Sequence, residues 1–198
     1  MMKFEILNTK ALGEEDFKRA FEKLSRPQKN RCLRFKFEAD RRRLAFGEEL
    51  LRELIKKELG CTEEDITISR EASGRPVATA KGEELFVSIT HSGDFVACAL
   101  SLKPVGIDLE VKREVKPQFL QRVLNQQELE FLKAESDEAL GFLKIWTAKE
   151  AFVKLTGKGL AGLSEADVLP LMEKGSFEGI KIITSHSSDY ACSVIFEE

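Results

Sequence analysis

The sequence is poor in several residue types, and each shortage excludes something. Its 198 residues include only two histidines, His91 and His186, with one tryptophan and one tyrosine. The four cysteines, Cys32, Cys61, Cys98 and Cys192, form no Cys-x-x-Cys pair, and none stands beside a histidine at zinc-ligand spacing. A zinc site is therefore not expected, and buried free thiols in a reducing compartment are the plain reading. The longest apolar run is about six residues, at 95–100, far short of the ~20 that a membrane helix needs. The opening Met1-Met2-Lys3-Phe4-Glu5 leads into charge by Glu14, so no secretory leader and a cytoplasmic protein are expected. There is no Ser/Gly linker and no low-complexity segment. A net charge of −3 disfavours a general nucleic-acid binder.

What is present suits a globular enzyme. Hydrophobic residues make up 42% and charged residues 33%, and the length allows one large domain or two small packed ones. The charge is unevenly placed. Residues 26–43 hold eight basic side chains (Arg26, Lys29, Arg31, Arg34, Lys36, Arg41, Arg42 and Arg43) against Glu38 and Asp40, so this stretch is +6 and the rest of the chain −9. Such a run reads either as a solvated helix face or as the wall of a pocket for a small phosphorylated ligand.

The periodicity predicts helices over 14–24, 40–59, 118–134 and 137–156. Gly60 and Gly157 stop two of them, and Asn125 is placed to restart the third. Strands are expected at 66–69, 85–90, 95–101, 105–111, 180–184 and 190–196, with a turn at 72–76. The segment Thr90-His91-Ser92-Gly93-Asp94-Phe95-Val96-Ala97-Cys98-Ala99-Leu100 resembles Ser185-His186-Ser187-Ser188-Asp189-Tyr190-Ala191-Cys192-Ser193-Val194-Ile195. Together with Lys103-Pro104 as the best internal boundary, this suggests a faded duplication. The expected fold is α+β: two similar halves, 1–102 and 103–198, related by a pseudo-two-fold with a cleft between them. Chance likeness of two hairpins is the alternative.

Four constellations could carry chemistry. In Val105-Gly106-Ile107-Asp108-Leu109-Glu110, strand alternation puts both carboxylates on one face. They repel unless a cation neutralises them, and hard oxygen ligands suit Mg²⁺; a wet face on an edge strand is the other reading. In Trp146-Thr147-Ala148-Lys149-Glu150-Ala151-Phe152-Val153-Lys154, the residues Trp146, Glu150 and Lys154 share a helical stripe. If that stripe faces Asp108 and Glu110, the set suits a metal and a diphosphate; otherwise Glu150 and Lys154 are a surface pair. His91, among the hydroxyls of Ser88-Ile89-Thr90-His91-Ser92-Gly93, is either a phosphate contact or a satisfied structural histidine. Arg75, in Gly74-Arg75-Pro76, is either a phosphate fork or a solvated loop residue.

In this order the motifs resemble those of the 4′-phosphopantetheinyl transferases, in particular the surfactin-synthetase-activating type with two fused halves. Gly106-Ile107-Asp108-Leu109-Glu110 is similar to the family's G-[IV]-D-x-E, and Trp146 to Lys154 to its W-x-x-K-E-[AS]-x-x-K. Gly157-Lys158-Gly159-Leu160, Ser73-Gly74-Arg75-Pro76, Ile89-Thr90-His91-Ser92 and the 31–47 stretch also fit. The resemblance spans nearly the whole chain.

It implies transfer of the phosphopantetheine arm of coenzyme A to a serine of an acyl or peptidyl carrier protein, with release of adenosine 3′,5′-bisphosphate. By match to the motifs, Asp108, Glu110 and Glu150 would hold Mg²⁺ on the diphosphate, and Lys154 would contact the phosphates. Thr90 and His91 would touch the nucleotide phosphates, Arg31 and Arg75 stand at basic phosphate-binding positions, and Arg43 lies near the expected adenine site. Glu150 is the preferred base for the carrier serine, with Glu128 as a second candidate. Gln28 stands where the family has a phosphate-binding lysine, which Lys29 could replace, and Leu44 stands at an adenine-side hydroxyl position. The 112–124 stretch, with Lys112, Arg113, Lys116 and Arg122 among Phe119, Leu120 and Val123, is either a docking surface for an acidic carrier or a core-packed helix. A monomer is expected, with no nucleic acid or membrane as partner. The alternatives are a non-enzymatic coenzyme A binder and a Mg²⁺-dependent hydrolase of a nucleotide diphosphate.

Overall fold

The computed structural model describes residues 1–163 and 166–198, without the side chains of Leu160 and Ala161. The chain separates into two compact units, Met1–Leu102 and Lys103–Glu198. Each carries an antiparallel sheet and helices, so the fold is α+β.

The first unit contains β1 (Met2–Asn8), α1 (Glu14–Glu22), α2 (Arg26–Arg34), α3 (Glu38–Leu59), β2 (Ile66–Arg70), β3 (Pro76–Ala80), β4 (Glu83–Ser92) and β5 (Phe95–Ser101). Its sheet has the order β1-β5-β4-β3-β2. The long helix α3 lays Leu51, Leu54 and Ile55 onto Ile66, Ile68, Leu85, Val87, Cys98 and Leu100, each buried Leu or Ile being worth about 2 kcal/mol. Gly60 ends α3 in the left-handed region, φ +56°, where a Cβ is penalised.

The second unit contains β6 (Val105–Val111), α4 (Pro117–Val123), α5 (Gln126–Ala134), α6 (Glu138–Thr156), a 3₁₀ turn (Gly159–Leu163), α7 (Leu169–Lys174), β7 (Ser176–Phe177), β8 (Ile180–His186) and β9 (Tyr190–Glu197). Its sheet has the order β6-β9-β8-β7. Asn125 splits the 118–134 helix as expected: its Oδ1 accepts from the Glu128 backbone N–H at 2.9 Å while Glu128 accepts from the Asn125 N–H at 2.8 Å, a reciprocal cap.

The two similar segments fold alike. Residues 90–100 run along the β4–β5 hairpin and residues 185–195 along the β8–β9 hairpin. In each unit the first strand pairs with the last, β1 with β5 and β6 with β9, and the longest helix packs on that last strand. Two elements were not among the expected ones: β1, which precedes the helices, and α2, a separate helix within the basic 26–43 stretch. Ser25 starts α2 by accepting from the Gln28 N–H while the Gln28 side chain accepts from the Ser25 N–H.

Candidate active site

The site is anchored by the close approach of α6 to β6. Strand alternation turns Gly106, Asp108 and Glu110 one way and Ile107 and Leu109 the other. At Gly106 the helix backbone comes so near that an added Cβ would lie 2.0 Å from the Ala151 carbonyl oxygen and 2.6 Å from the Leu155 nitrogen. The glycine of the strand motif is therefore a packing requirement. A buried bond between Thr147 Oγ1 and Ser193 Oγ, 2.9 Å, ties α6 to β9, and Ser193 is the register partner of Asp108.

That docking buries Asp108 to 5% exposure, so it does not sit on a wet edge. Lys154 reaches across from α6 and donates to Asp108 Oδ1 at 2.6 Å and to the Ile107 carbonyl at 3.1 Å. Lys154 is thus joined to Asp108 in an ion pair between elements, which goes against the alternative of a Glu150–Lys154 surface pair. Glu150 is half-buried, and its carboxyl is pushed above its ordinary range. Burial is the main cause, followed by the negative charge of Asp108; Lys154 pulls the other way and Glu110 adds to the rise. Glu150 thus feels the charge of both other carboxylates. Among the described residues, no group of three or more His, Cys, Asp and Glu side chains is gathered closely enough to hold a metal ion.

Trp146 does different work. Its ring stacks on Phe142, 6.1 Å between centroids, and meets Phe119 of α4 at 5.4 Å. The motif's tryptophan fastens α4 to α6. Beside it a cavity of about 300 Å³ is lined by Glu110, Arg113, Lys116, Phe119 and Trp146, among others. Lys112, counted in the docking stretch, is ion-paired to Asp137, whereas Arg113, Lys116 and Arg122 are exposed. Glu128 is fully buried and receives Lys149 at 2.7 and 3.0 Å. Both its oxygens are committed to that ammonium and one also to the cap of α5, so it belongs to the scaffold rather than to a proton-transfer path.

The first unit holds the remaining candidates in two groups. Arg43 donates to Asp40 and to the Gly93 carbonyl at 3.1 Å, which places it against the turn that follows His91. Thr90 is buried and His91 exposed; as successive strand residues they leave β4 on opposite faces, so their side chains do not converge on one point. Arg31 is an exposed residue of α2 bordering two cavities of about 400 and 470 Å³. Arg75 is half-buried in the 71–75 turn, which closes through a bond from the Glu71 N–H to the Arg75 carbonyl. Leu44 is packed in the core, 7% exposed, so it offers nothing in place of a hydroxyl. Lys29 sits over the Phe21 ring, 5.8 Å from its centroid. The motif residue Leu160 has its side chain outside the described set. Sequence reasoning passed over Glu48 and Arg70. Glu48 is 1% exposed inside the apolar stripe of α3, and a carboxylate at such a position was the available signal.

Comparison with known proteins agrees with this geometry. Residues 104–195 match the model of the 4′-phosphopantetheinyl transferase superfamily, and residues 12–103 match that of the 4′-phosphopantetheinyl transferase N-terminal region. The 4′-phosphopantetheinyl transferase Sfp of Bacillus subtilis (strain 168) is 29% identical over 94% of this chain and 84% of its own length. The 4′-phosphopantetheinyl transferase psf-1 of Bacillus pumilus is 34% identical over 82% and 72%. The 4′-phosphopantetheinyl transferase HetI of Nostoc sp. is 32% identical over 73% and 64%. No described helix is long and apolar enough to cross a membrane. With both of its units matched and the motif strand and motif helix packed together, the chain belongs to the 4′-phosphopantetheinyl transferase superfamily and is an enzyme of its Sfp-like type.

Proposed function

We propose that the chain moves the 4′-phosphopantetheine arm of coenzyme A to a serine hydroxyl of an acyl or peptidyl carrier protein and releases adenosine 3′,5′-bisphosphate. The observation that carries this reading is the electrostatic coupling of Glu150 to Asp108, Glu110 and Lys154, with Lys154 hydrogen-bonded to Asp108. Burial gives most of the upward push on Glu150 and the charges of Asp108 and Glu110 add to it; a hard divalent cation taken by these carboxylate oxygens would relieve that second part. Asp108, Glu110 and Glu150 would hold Mg²⁺, and that ion, when bound, neutralises and polarises the coenzyme A diphosphate.

The chain's own groups have separate tasks. Lys154, already aimed at Asp108, balances negative charge as the diphosphate bond breaks. Glu150 is the base: it takes the proton of the carrier serine as the Ser Oγ–phosphorus bond forms and the bridging phosphorus–oxygen bond to the leaving nucleotide breaks. Arg31, Arg75 and the Thr90–His91 end of β4 supply nucleotide phosphate contacts, and Arg43, fixed on Gly93, lies toward the adenine. The exposed Arg113, Lys116 and Arg122, with Phe119 among them, form the docking patch for an acidic carrier.

The test is to incubate the enzyme with an apo carrier protein, coenzyme A and Mg²⁺, then weigh the carrier. A mass gain of one phosphopantetheine, lost when Mg²⁺ is chelated, supports the proposal. Coenzyme A binding with no mass gain on any of several apo carriers would favour a non-enzymatic binder, and release of phosphopantetheine to water regardless of carrier would favour a hydrolase.

A further inference from the structure

Helix α6 rests on its sheet through small side chains. Ala148 packs in the same buried cluster as Ala191, and Ala151 in that of Ile195. At Gly106 the strand offers no side chain at all, and an added Cβ would meet the Ala151 carbonyl oxygen. Such contacts are close but smooth, and apolar attraction has no direction. They hold the helix down without fixing how far it slides along the sheet or turns about its own axis. A hydrogen bond does have direction. Among these alanines, Thr147 on α6 and Ser193 on β9 meet Oγ1 to Oγ at 2.9 Å, both at 0% exposure. Thr147 also donates to the Lys144 carbonyl at 3.3 Å. That commits its single proton and leaves Ser193 as the donor to Thr147.

The bond stands at the level of the site. Ser193 is the register partner of Asp108 across β6 and β9, and paired residues of an antiparallel ladder turn their side chains to the same face. The hydroxyl is thus a neighbour of the carboxylate beneath the helix. Thr147 lies three residues before Glu150 and seven before Lys154, so the three share one stripe of α6. Glu150 feels the charge of Asp108, and Lys154 donates to Asp108 Oδ1 at 2.6 Å. Stability alone does not account for the pair of hydroxyls, because replacing both partners of a buried hydrogen bond by apolar groups of the same shape is nearly neutral. What the apolar pair would lack is the fixed angle and distance.

We propose that Thr147 and Ser193 are positioning residues of the active site: their bond fixes the slide and rotation of α6 at the level of Asp108, so that Glu150 and Lys154 meet that carboxylate. They act through Glu150 and Lys154 and touch no reactant. The catalytic consequence rests on the transfer reading; the aiming of Lys154 at Asp108 does not.

The experiment removes the bond without stranding half of it. The double variant Thr147→Val/Ser193→Ala deletes both hydroxyls and keeps the shape at position 147, so its urea midpoint should stay close to that of wild type. Its kcat for carrier loading should fall about tenfold to a hundredfold, the scale of a misplacement of about 1 Å, while KM for the carrier holds. Thr147→Ser, which keeps the hydroxyl, should retain most of the wild-type kcat. A folded double variant with wild-type kcat overturns the proposal, and so does a Thr147→Ser enzyme as impaired as the double variant. A second measurement needs neither coenzyme A nor a carrier. In metal-free protein, Lys154→Met should destabilise the double variant less than it destabilises wild type, because α6 no longer aims the ammonium at Asp108. Strictly additive effects overturn the positioning role even where carrier loading succeeds. Non-additive effects in an enzyme that loads no carrier sustain the positioning role and overturn the transfer reading instead.

Discussion

The ammonium of Lys154 on α6 lies 2.6 Å from Asp108 Oδ1 on β6, whereas Glu150, one turn earlier on the same helix, feels that ammonium only as a charge. The pair is unequal: the side chain of Asp108 is 7% exposed and that of Lys154 30%. Removing one partner therefore costs more than removing the other. Lys154→Met, which takes its ammonium from a buried carboxylate, should cost about 1–3 kcal/mol. Asp108→Asn, which leaves an ammonium able to reach water, should cost less. Both should lower carrier loading at least a hundredfold, on the order of the effect of losing a charge-stabilising group. Urea melts and the loading assay measure the two effects separately, and an Asp108→Asn enzyme of full activity would remove Asp108 from the site.

Gly106→Ala should be far more damaging than its size suggests. The new Cβ would meet backbone atoms, not a movable side chain, so β6 and α6 must separate. The expected cost is about 3 kcal/mol or more, at the upper end for overpacking. Loss of activity without loss of stability would show that the glycine serves the chemistry directly.

In metal-free enzyme the raised pKa of Glu150 makes a stability signature. A carboxyl whose folded pKa lies above its unfolded value contributes stability that is intact below the ordinary value of 4.5 and is lost as pH rises through the folded pKa. With a chelator present, Glu150→Gln should therefore melt above wild type at pH 7, and the gap should close by about pH 4. Added Mg²⁺ should raise the wild-type melting temperature at pH 7 by mass action and should do so much less in Glu150→Gln. Identical melting of the two proteins at pH 7 without metal would count against the crowded-carboxylate account.

Lys149 and Glu128 are 2% and 0% exposed at their side chains, and Lys149 Nζ also donates to the Ala166 carbonyl at 3.0 Å. Glu128→Ala should cost about 3–5 kcal/mol, because it strands a buried ammonium. The double variant Glu128→Gln/Lys149→Met removes both charges and should recover much of that loss. Carrier loading by the double variant should stay within about tenfold of wild type, as expected of a scaffold pair remote from proton transfer. A hundredfold loss in a well-folded double variant would restore Glu128 as a candidate base.

Reversing charge at Arg113 and Lys116 should raise KM for an acidic carrier about tenfold or more and flatten its salt dependence, since exposed charges act mainly on encounter. KM for coenzyme A should not move. A parallel rise in both constants would place these residues in the nucleotide site instead.

Much of this was legible along the chain. The alternation of residues 105–111 gave β6 its bounds, Gly60 and Gly157 marked two helix ends, and Asn125 restarted the helix with Glu128 three residues on. β1 was harder: Met2–Asn8 mixes charge with apolar residues, and its strand character depends on pairing with β5, from Met2↔Ser101 to Asn8↔Phe95. α2 was hidden by its polarity, since only Gln28 and Cys32 are buried on it. Trp146 looked like a site residue because it shares a stripe with Glu150 and Lys154, but its ring is held by Phe119 and Phe142.

Local order alone determined which residues share a face, where helices stop, and that Asp108 and Glu110 point together, because these follow from backbone periods and caps that span a few residues. The tertiary structure decided the partners: Lys154 with Asp108, Lys149 with Glu128, Arg70 with Glu48. Those choices turn on how closely a helix docks against a strand or a neighbouring helix, and an ion pair gains or loses most of its strength over a few ångströms of separation and a change in burial. Such distances are set by packing between elements far apart in the chain, where no periodicity reaches.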